Sequence, residues 1–386
     1  MAGKDDGRRT TMRAVCEFQR GIRPACHEPH RVPTMPNLFA AKSALPSMRA
    51  LMHGLAGLAI CAIAGLTGAQ AQDAQKPSLT VYTYSSFSGK YGPGKAVKDR
   101  FEAQCGCTLT FVNTDDAGSL LARLKLEGNN TRADVVIGLD NNLMAEARET
   151  GLFAPHGQDK ARLTLPVAWS DDTFLPFDFG WFAFVHDADK LKTPPASLRE
   201  LIENPNGPRI VIQDPRTSTP GLGLNLWMRQ VFGDLADAAW AKLKPRVVTV
   251  TKGWSEAYGL FLKGEADMVL SYTTSPAYHI GVEKKTNYKA AMFSEGHYLQ
   301  VEVAARLRTS QNEALARRFM DFVASEAFQS AMPEGNWMYP AITPAAGLPA
   351  SFANLPKPAR TLQFAPDEVR ANRRAFIDGW LGAMSR

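Results

Sequence analysis

Residues 79–113 read LTVYTYSSFSGKYGPGKAVKDRFEAQCGCTLTFVN. Two runs rich in β-branched and aromatic residues, LTVYTY (79–84) and TLTFVN (108–113), enclose a helix-forming stretch around Lys95–Gln104. The same order recurs downstream. TLTFVN precedes SLLARLKLEG (119–128), and ADVVIGL (133–139) precedes LMAEARETG (143–151). This βαβα alternation predicts a largely parallel sheet covered by helices. A second set follows. Ser197 and Glu200 form a capping box opening a helix, and RIVIQ (209–213), RVVTVT (246–251) and DMVLSY (267–272) are three more strands. Leu315, Phe319, Phe322 and Val323 share one face of an amphipathic helix. TFLPFDFGWFAFV (173–185) and HYLQVEVAAR (297–306) are strand-like stretches placed to join the two halves. If both cross over, the halves become two lobes with a hinge of strands and a cleft between them.

Upstream, residues 48–71 read MRALMHGLAGLAICAIAGLTGAQA. A basic start at Arg49, a short Gly-broken apolar run and Ala69-Gln70-Ala71 match a secretory signal peptide cleaved near Ala71. The run is too short for a comfortable membrane span. Residues 1–47 are read as an extension arising from a start called too early, with Met48 the true start. The whole chain carries 44 basic and 38 acidic residues. Setting aside residues 1–71, which hold nine and four of them, leaves 35 basic against 34 acidic, net +1. That balance gives no support for nucleic-acid binding. About 315 residues remain, enough for two domains. Cys16, Cys26 and Cys61 leave with the leader, and Cys105 and Cys107 stay as a Cys-Gly-Cys pair, read as a local disulfide closing the end of a helix.

Gly89, Gly94 and Lys95 match a phosphate-binding loop in spacing, but Ala96 lacks the hydroxyl that such a loop needs. Pro93 removes one backbone N–H from the cradle. The segment is read as a Gly/Pro loop entering the first helix, with Tyr91 placed to face the cleft. Gly253-Trp-Ser255-Glu-Ala257 lacks the last glycine of a nucleophile elbow. His156, His186, His279 and His297 show no paired-ligand spacing. No catalytic residue, metal site or cofactor is implied.

In open α/β sheets, ligands bind beyond the carboxyl ends of the strands. Those ends carry Tyr84, Ser85 and Ser86; Asp115, Asp116, Ala117 and Gly118; and Asp140, Asn141 and Asn142. In the second half they carry DPRTSTPGLG (214–223), Lys252-Gly253-Trp254 and YTTSPAY (272–278). Ser218 and Thr219 at a helix start favour an anion. Asp116 favours a cation or an amine donor. Tyr84, Tyr278, Trp254 and Trp337 offer flat faces, and a cation over one gains roughly 0.5–2 kcal/mol. The implied ligand is small, flat and cationic, with an optional phosphate. Singly, each residue has a plainer role. Asp116 would serve as a helix cap, Ser218 and Thr219 as turn residues, Trp254 and Trp337 as core aromatics, and Asn141 and Asn142 as caps of the next helix. Their joint position at strand ends of both halves is what points to a cleft.

LTVYTYSSF (79–87), ADVVIGLDNN (133–142), QDPRTSTPGLG (213–223), VTVTKGWSEAYGLFLKGEADMVLSYTTSPAYH (248–279) and EGNWMYP (334–340) resemble the periplasmic thiamine-binding proteins of bacterial ABC importers, within the type II solute-binding family. The resemblance runs from Lys76 to the C-terminus. It implies a two-lobed α/β fold, each lobe a largely parallel sheet covered by helices and hinged by crossover strands. Lobe one would hold 78–190 and 303–345, and lobe two 191–296 and 346–386. It implies capture of thiamine or its mono- or pyrophosphate, delivery to a membrane permease with its ATPase subunit, and no catalysis. The ligand positions it implies are Asp116, Ala117, Ser218, Thr219, Trp254, Tyr272, Thr273, Thr274 and Ser275, with Tyr84, Tyr278 and Trp337 as walls. Asp116 is expected at the aminopyrimidine, and Ser218, Thr219, Trp254 and Tyr272 at the hydroxyethyl or phosphate end. Tyr91 departs from the family, where an indole is also seen. The rival readings are a ferric-ion or other organic-cation carrier of the same fold, and a periplasmic thiamine-phosphate phosphatase.

Overall fold

The structure, a computed structural model, describes residues 76–385. The expected extension (1–47), the signal peptide (48–71) and Cys16, Cys26 and Cys61 lie outside the described residues. Eight strands form the spine of one continuous sheet: β1 (Ser78–Tyr84), β2 (Thr108–Thr114), β3 (Val135–Asp140), β4 (Leu175–Asp187), β5 (Ile210–Gln213), β6 (Val247–Thr251), β7 (Met268–Tyr272) and β8 (His297–Leu307). Their spatial order is β2-β1-β3-β8-β4-β7-β5-β6. At one end β1 pairs in parallel with both β2 and β3. At the other, β5 pairs in parallel with both β6 and β7. The two stretches expected to join the halves do so. β8 runs antiparallel to β3 and to β4, and β4 changes partner midway, pairing with β8 through Trp181 and with β7 from Phe182 onward. These linking strands are almost wholly buried, which explains why they read as near-continuous apolar runs rather than alternating ones.

The main helices are α1 (Gly94–Cys105), α2 (Ala117–Glu127), α3 (Met144–Arg148), α4 (Leu198–Glu203), α5 (Thr219–Phe232), α6 (Ala236–Leu243), α7 (Trp254–Leu262), α8 (Glu313–Val323) and the C-terminal α9 (Pro366–Ser385). α1 buries Val97 and Phe101, one turn apart. Phe101 meets Phe319 of α8 edge-on at 4.8 Å and Phe322 at 5.3 Å, and all four residues read as the apolar face of α8 are buried. α1 stops at Gly106, whose φ of 64° suits a residue without Cβ, and the Cys105–Cys107 disulfide closes that end as expected. α4 opens at Ser197, whose Oγ accepts from Glu200 N at 2.9 Å. Glu200 returns its carboxylate to Ala196 N at 2.8 Å, one residue before the usual capping-box partner. α3 is shorter than LMAEARETG suggested, and the chain turns away at Gly151, φ 69°. α9 packs on α6 and α5 and also reaches α3, where Arg373 meets Glu146 at 3.0 Å and Arg370 meets Glu149 at 2.9 Å.

Candidate functional site

Three helix starts meet at one point. Asp116, the N-cap of α2, accepts from Ala117 N at 2.7 Å. The same carboxylate accepts from Ser218 Oγ at 2.8 Å and from Trp254 N at 3.3 Å. Thr219 N and Oγ1 both stand 3.5 Å away. α2 follows β2 at one end of the sheet, whereas α5 and α7 follow β5 and β6 at the other. Asp116 is therefore a helix cap and a bridge across the two halves at once. The positive ends of three helix dipoles converge on its charge. Burial raises its pKa, and those hydrogen bonds act in the opposite direction. Asp116 and Ser218/Thr219, expected at different parts of a ligand, are bonded directly to each other.

Beside this junction opens a cavity of about 520 Å³, a size suited to a small organic ligand. Of the residues expected from sequence, Tyr84, Asp116, Thr219, Trp254, Tyr272, Ser275, Tyr278 and Trp337 line it. Ala117, Ser218, Thr273 and Thr274 do not, and all four are buried behind it. Ala117 and Ser218 act through Asp116. Thr273 N donates to Trp181 O at 2.9 Å, and Thr274 Oγ1 faces the Met338 sulfur at 3.8 Å. Asn141 and Asn142 do not cap α3, which opens at Leu143 without a side-chain cap; Asp140 instead holds the turn before it, accepting from Asn142 N and Leu143 N at 3.0 Å each.

The aromatic walls are held by their own contacts. Trp254 stacks on Tyr258 at 4.9 Å and donates Nε1–H to Ser271 Oγ at 2.8 Å. Tyr258 is fixed in turn by His279 Nε2 at 2.9 Å, and His279 Nδ1 meets Glu283 at 3.0 Å. Burial lowers the His279 pKa, favouring the neutral ring. Tyr278 and Trp337 meet edge-on at 5.3 Å. Trp337 sits at φ 57°, a backbone conformation that costs a bulky residue energy. Strain of that kind clusters at functional sites. Tyr91 is 72% exposed and lines the mouth, in the Gly/Pro loop before α1.

The sequence reading missed Glu302, Asn336 and the buried Asp178. Glu302 on β8 lines the cavity and is bonded by Tyr84 OH at 2.9 Å. Asn336 Nδ2 donates to Glu302 at 3.0 Å and to Asp178 on β4 at 2.6 Å. Glu302 and Asp178 are direct cross-strand partners, where like charges repel. Burial, then the Asp178 charge, drives the Glu302 pKa well above the usual carboxylate range, and burial pushes Asp178 up to about 7. The detectable signal was an acid set inside a strand with apolar neighbours on either side, as in LPFDFGW and LQVEVAA.

These shifts set a stability trend. An acid whose pKa is raised by folding contributes stability that is complete below the unfolded value near 4 and is lost as pH rises through the folded value. Asp178→Asn/Glu302→Gln, neutral at every pH, should gain on the wild-type protein between pH 5 and pH 8. We expect a relative rise in Tm of roughly 3 °C, read by differential scanning calorimetry without ligand. The buried histidines titrate in both proteins and cancel in the difference. A constant difference across that range would count against an ionising pair.

A family model for bacterial extracellular solute-binding proteins matches residues 85–330. The chain is 60% identical over 311 residues to the thiamine-binding periplasmic protein of Escherichia coli K12, covering 81% of this chain and 94% of that protein. It is 54% identical over 311 residues to the thiamine-binding periplasmic protein of Brucella melitensis biotype 1, covering 81% and 93%. Among solved structures, one titled periplasmic thiamin binding protein matches with a TM-score of 0.79 at 60% identity, over 81% of this chain and 97% of that one. Two parallel half-sheets joined by crossover strands, with a cavity at the strand ends, are the type II periplasmic-binding fold, and the chain belongs to the bacterial extracellular solute-binding proteins.

Proposed function

We propose that this chain captures thiamine, or a thiamine phosphate, in the inter-lobe cavity and delivers it to the permease of an ABC importer in the periplasm. The observation that carries the reading is the convergence of Tyr84, Trp254, Tyr278 and Trp337 on one cavity whose wall includes Asp116 and Glu302. Flat π-faces and carboxyl groups suit an aromatic cation. The names of the relatives supply the particular one. The lobes would be 78–190 with 303–345, and 191–296 with 346–386, bending where β4 and β8 pass between them. Cleavage would fall near Ala71. Ligand would draw the lobes together, and the closed form would dock on the permease.

The test is a titration of protein stripped of carried-over ligand by unfolding and refolding. Tryptophan fluorescence should be quenched saturably by thiamine below micromolar concentration, since Trp254 and Trp337 both line the cavity. No response to thiamine, its monophosphate or its pyrophosphate would overturn the ligand assignment.

A further inference from the structure

Glu302 lies between two other carboxylates. In the strand register it faces Asp140 on β3 and Asp178 on β4, so three acids stand in a row across three adjacent strands. Asp140 is satisfied by Asn142, Leu143 and Gln300. The other two are not. Tyr84 and Asn336 donate to Glu302 and Asn336 donates to Asp178, the two carboxyl groups lie within hydrogen-bond reach of each other, a contact that needs a proton on one of them, and no other donor meets the buried Asp178 Oδ1. None of these partners is a lysine or arginine. Two facing carboxyl groups, almost fully buried and without a cation, cannot both ionise at modest cost. Yet Glu302, 5% exposed, opens onto the cavity.

We propose that the Glu302–Asp178 pair is the subsite for the positive charge of the ligand, and that it exchanges a proton for that charge. In the empty cleft the pair retains one proton. An aromatic cation lying against Glu302 supplies the missing charge, both carboxyl groups ionise, and the proton leaves to solvent. Asn336 holds the pair together, bonding both members, and Tyr84 presents its ring to the cavity while its hydroxyl fixes Glu302. The other titratable groups facing the pair are Asp116 at the start of α2, Tyr272 at the end of β7 and Asp140 on β3. None is basic, and among the described residues no lysine or arginine bonds to the pair. The fixed-charge ring therefore binds at Glu302, and Asp116 is left to tie the lobes.

This inference rests on the thiamine reading, and the experiment separates the two. Thiamine binding would be measured by calorimetry from pH 5.5 to 8.5 in buffers of different ionisation enthalpy. A neutral isostere, with carbon replacing the thiazolium nitrogen, would be measured alongside. For the wild-type protein, thiamine affinity should rise up to tenfold per pH unit in the lower part of the range, with close to one proton released. The isostere should bind with no proton release and no pH slope. Glu302→Gln should weaken thiamine by tenfold or more at pH 8 and abolish the slope, while leaving the isostere within about twofold. Asp178→Asn provides a second variant should the first misfold, and should also lose proton release. Wild-type binding of thiamine with no proton release, or equal loss of both ligands in Glu302→Gln, would overturn the charge-exchange subsite and leave the thiamine reading intact. Failure of the wild-type protein to bind thiamine would overturn both.

Discussion

Gly118→Ala should leave the protein folded and reduce thiamine affinity by roughly a hundredfold to a thousandfold, about 2.7–4.1 kcal/mol. Gly118 lies in the first turn of α2 with ordinary helical backbone, where alanine is the better helix former by about 1 kcal/mol. Its added Cβ, however, would stand 2.6 Å from the carbonyl carbon and oxygen of Thr217, and 2.9 Å from Arg216 O. These are backbone atoms of the loop that leads into α5, at the other half of the sheet, and a neighbouring bond from Ser119 N to Thr217 O at 3.1 Å fixes the approach. If this contact forms as the cleft closes, the methyl group should act as a wedge against closure. Titration should show the lost affinity, and small-angle scattering should show no compaction on adding ligand. Unchanged affinity together with an unchanged or higher Tm would mean that this contact does not belong to the closure.

Asp116→Ala removes the acceptor shared by the starts of α2, α5 and α7. Ala117 N, Trp254 N and the Ser218 hydroxyl lose their partner together, and an orphaned buried donor costs roughly 1–3 kcal/mol. Part of that cost is avoided if the lobes swing apart and let water in. The variant is then expected to stay folded while populating the open form, with thiamine affinity reduced about a hundredfold. Asp116→Asn keeps one acceptor oxygen but loses the charge that faces three helix starts, so a smaller loss, about tenfold, is expected. Equal affinities for Asp116→Asn and the wild-type protein would sink the role of that charge.

The strand–helix alternation was legible because each strand carries β-branched or aromatic residues and each helix is bounded by a polar or glycine stop. The crossing of β4 and β8 was legible only as a possibility. Periodicity reports how buried a strand is, and not which strands flank it. At the site, residues at strand ends and helix starts could be read from sequence. Tyr84, Thr219, Trp254, Tyr272, Ser275, Tyr278 and Trp337 do reach the cavity. Thr273 and Thr274 were carried along with their neighbours, but the turn after β7 directs them inward. Glu302 and Asp178 lie in the middle of strands, where a strand-end rule does not look. Their meaning emerges only once β8 lies beside β4 and two isolated acids become a facing pair.

That same pairing has a kinetic consequence. β3 ends at Asp140, and its partner β8 begins at His297. The first half-sheet thus remains open on one side until more than half of the described chain has followed it, and helix α8, which covers Phe101, comes later still. Such long-range pairings form slowly. For a chain exported as proposed, late closure would be useful. The N-terminal segments would then stay unlocked while the residues that pair with them are still being made. A version rearranged to place residues 297–323 next to β3 should mature faster in a test tube and be exported less efficiently by a cell.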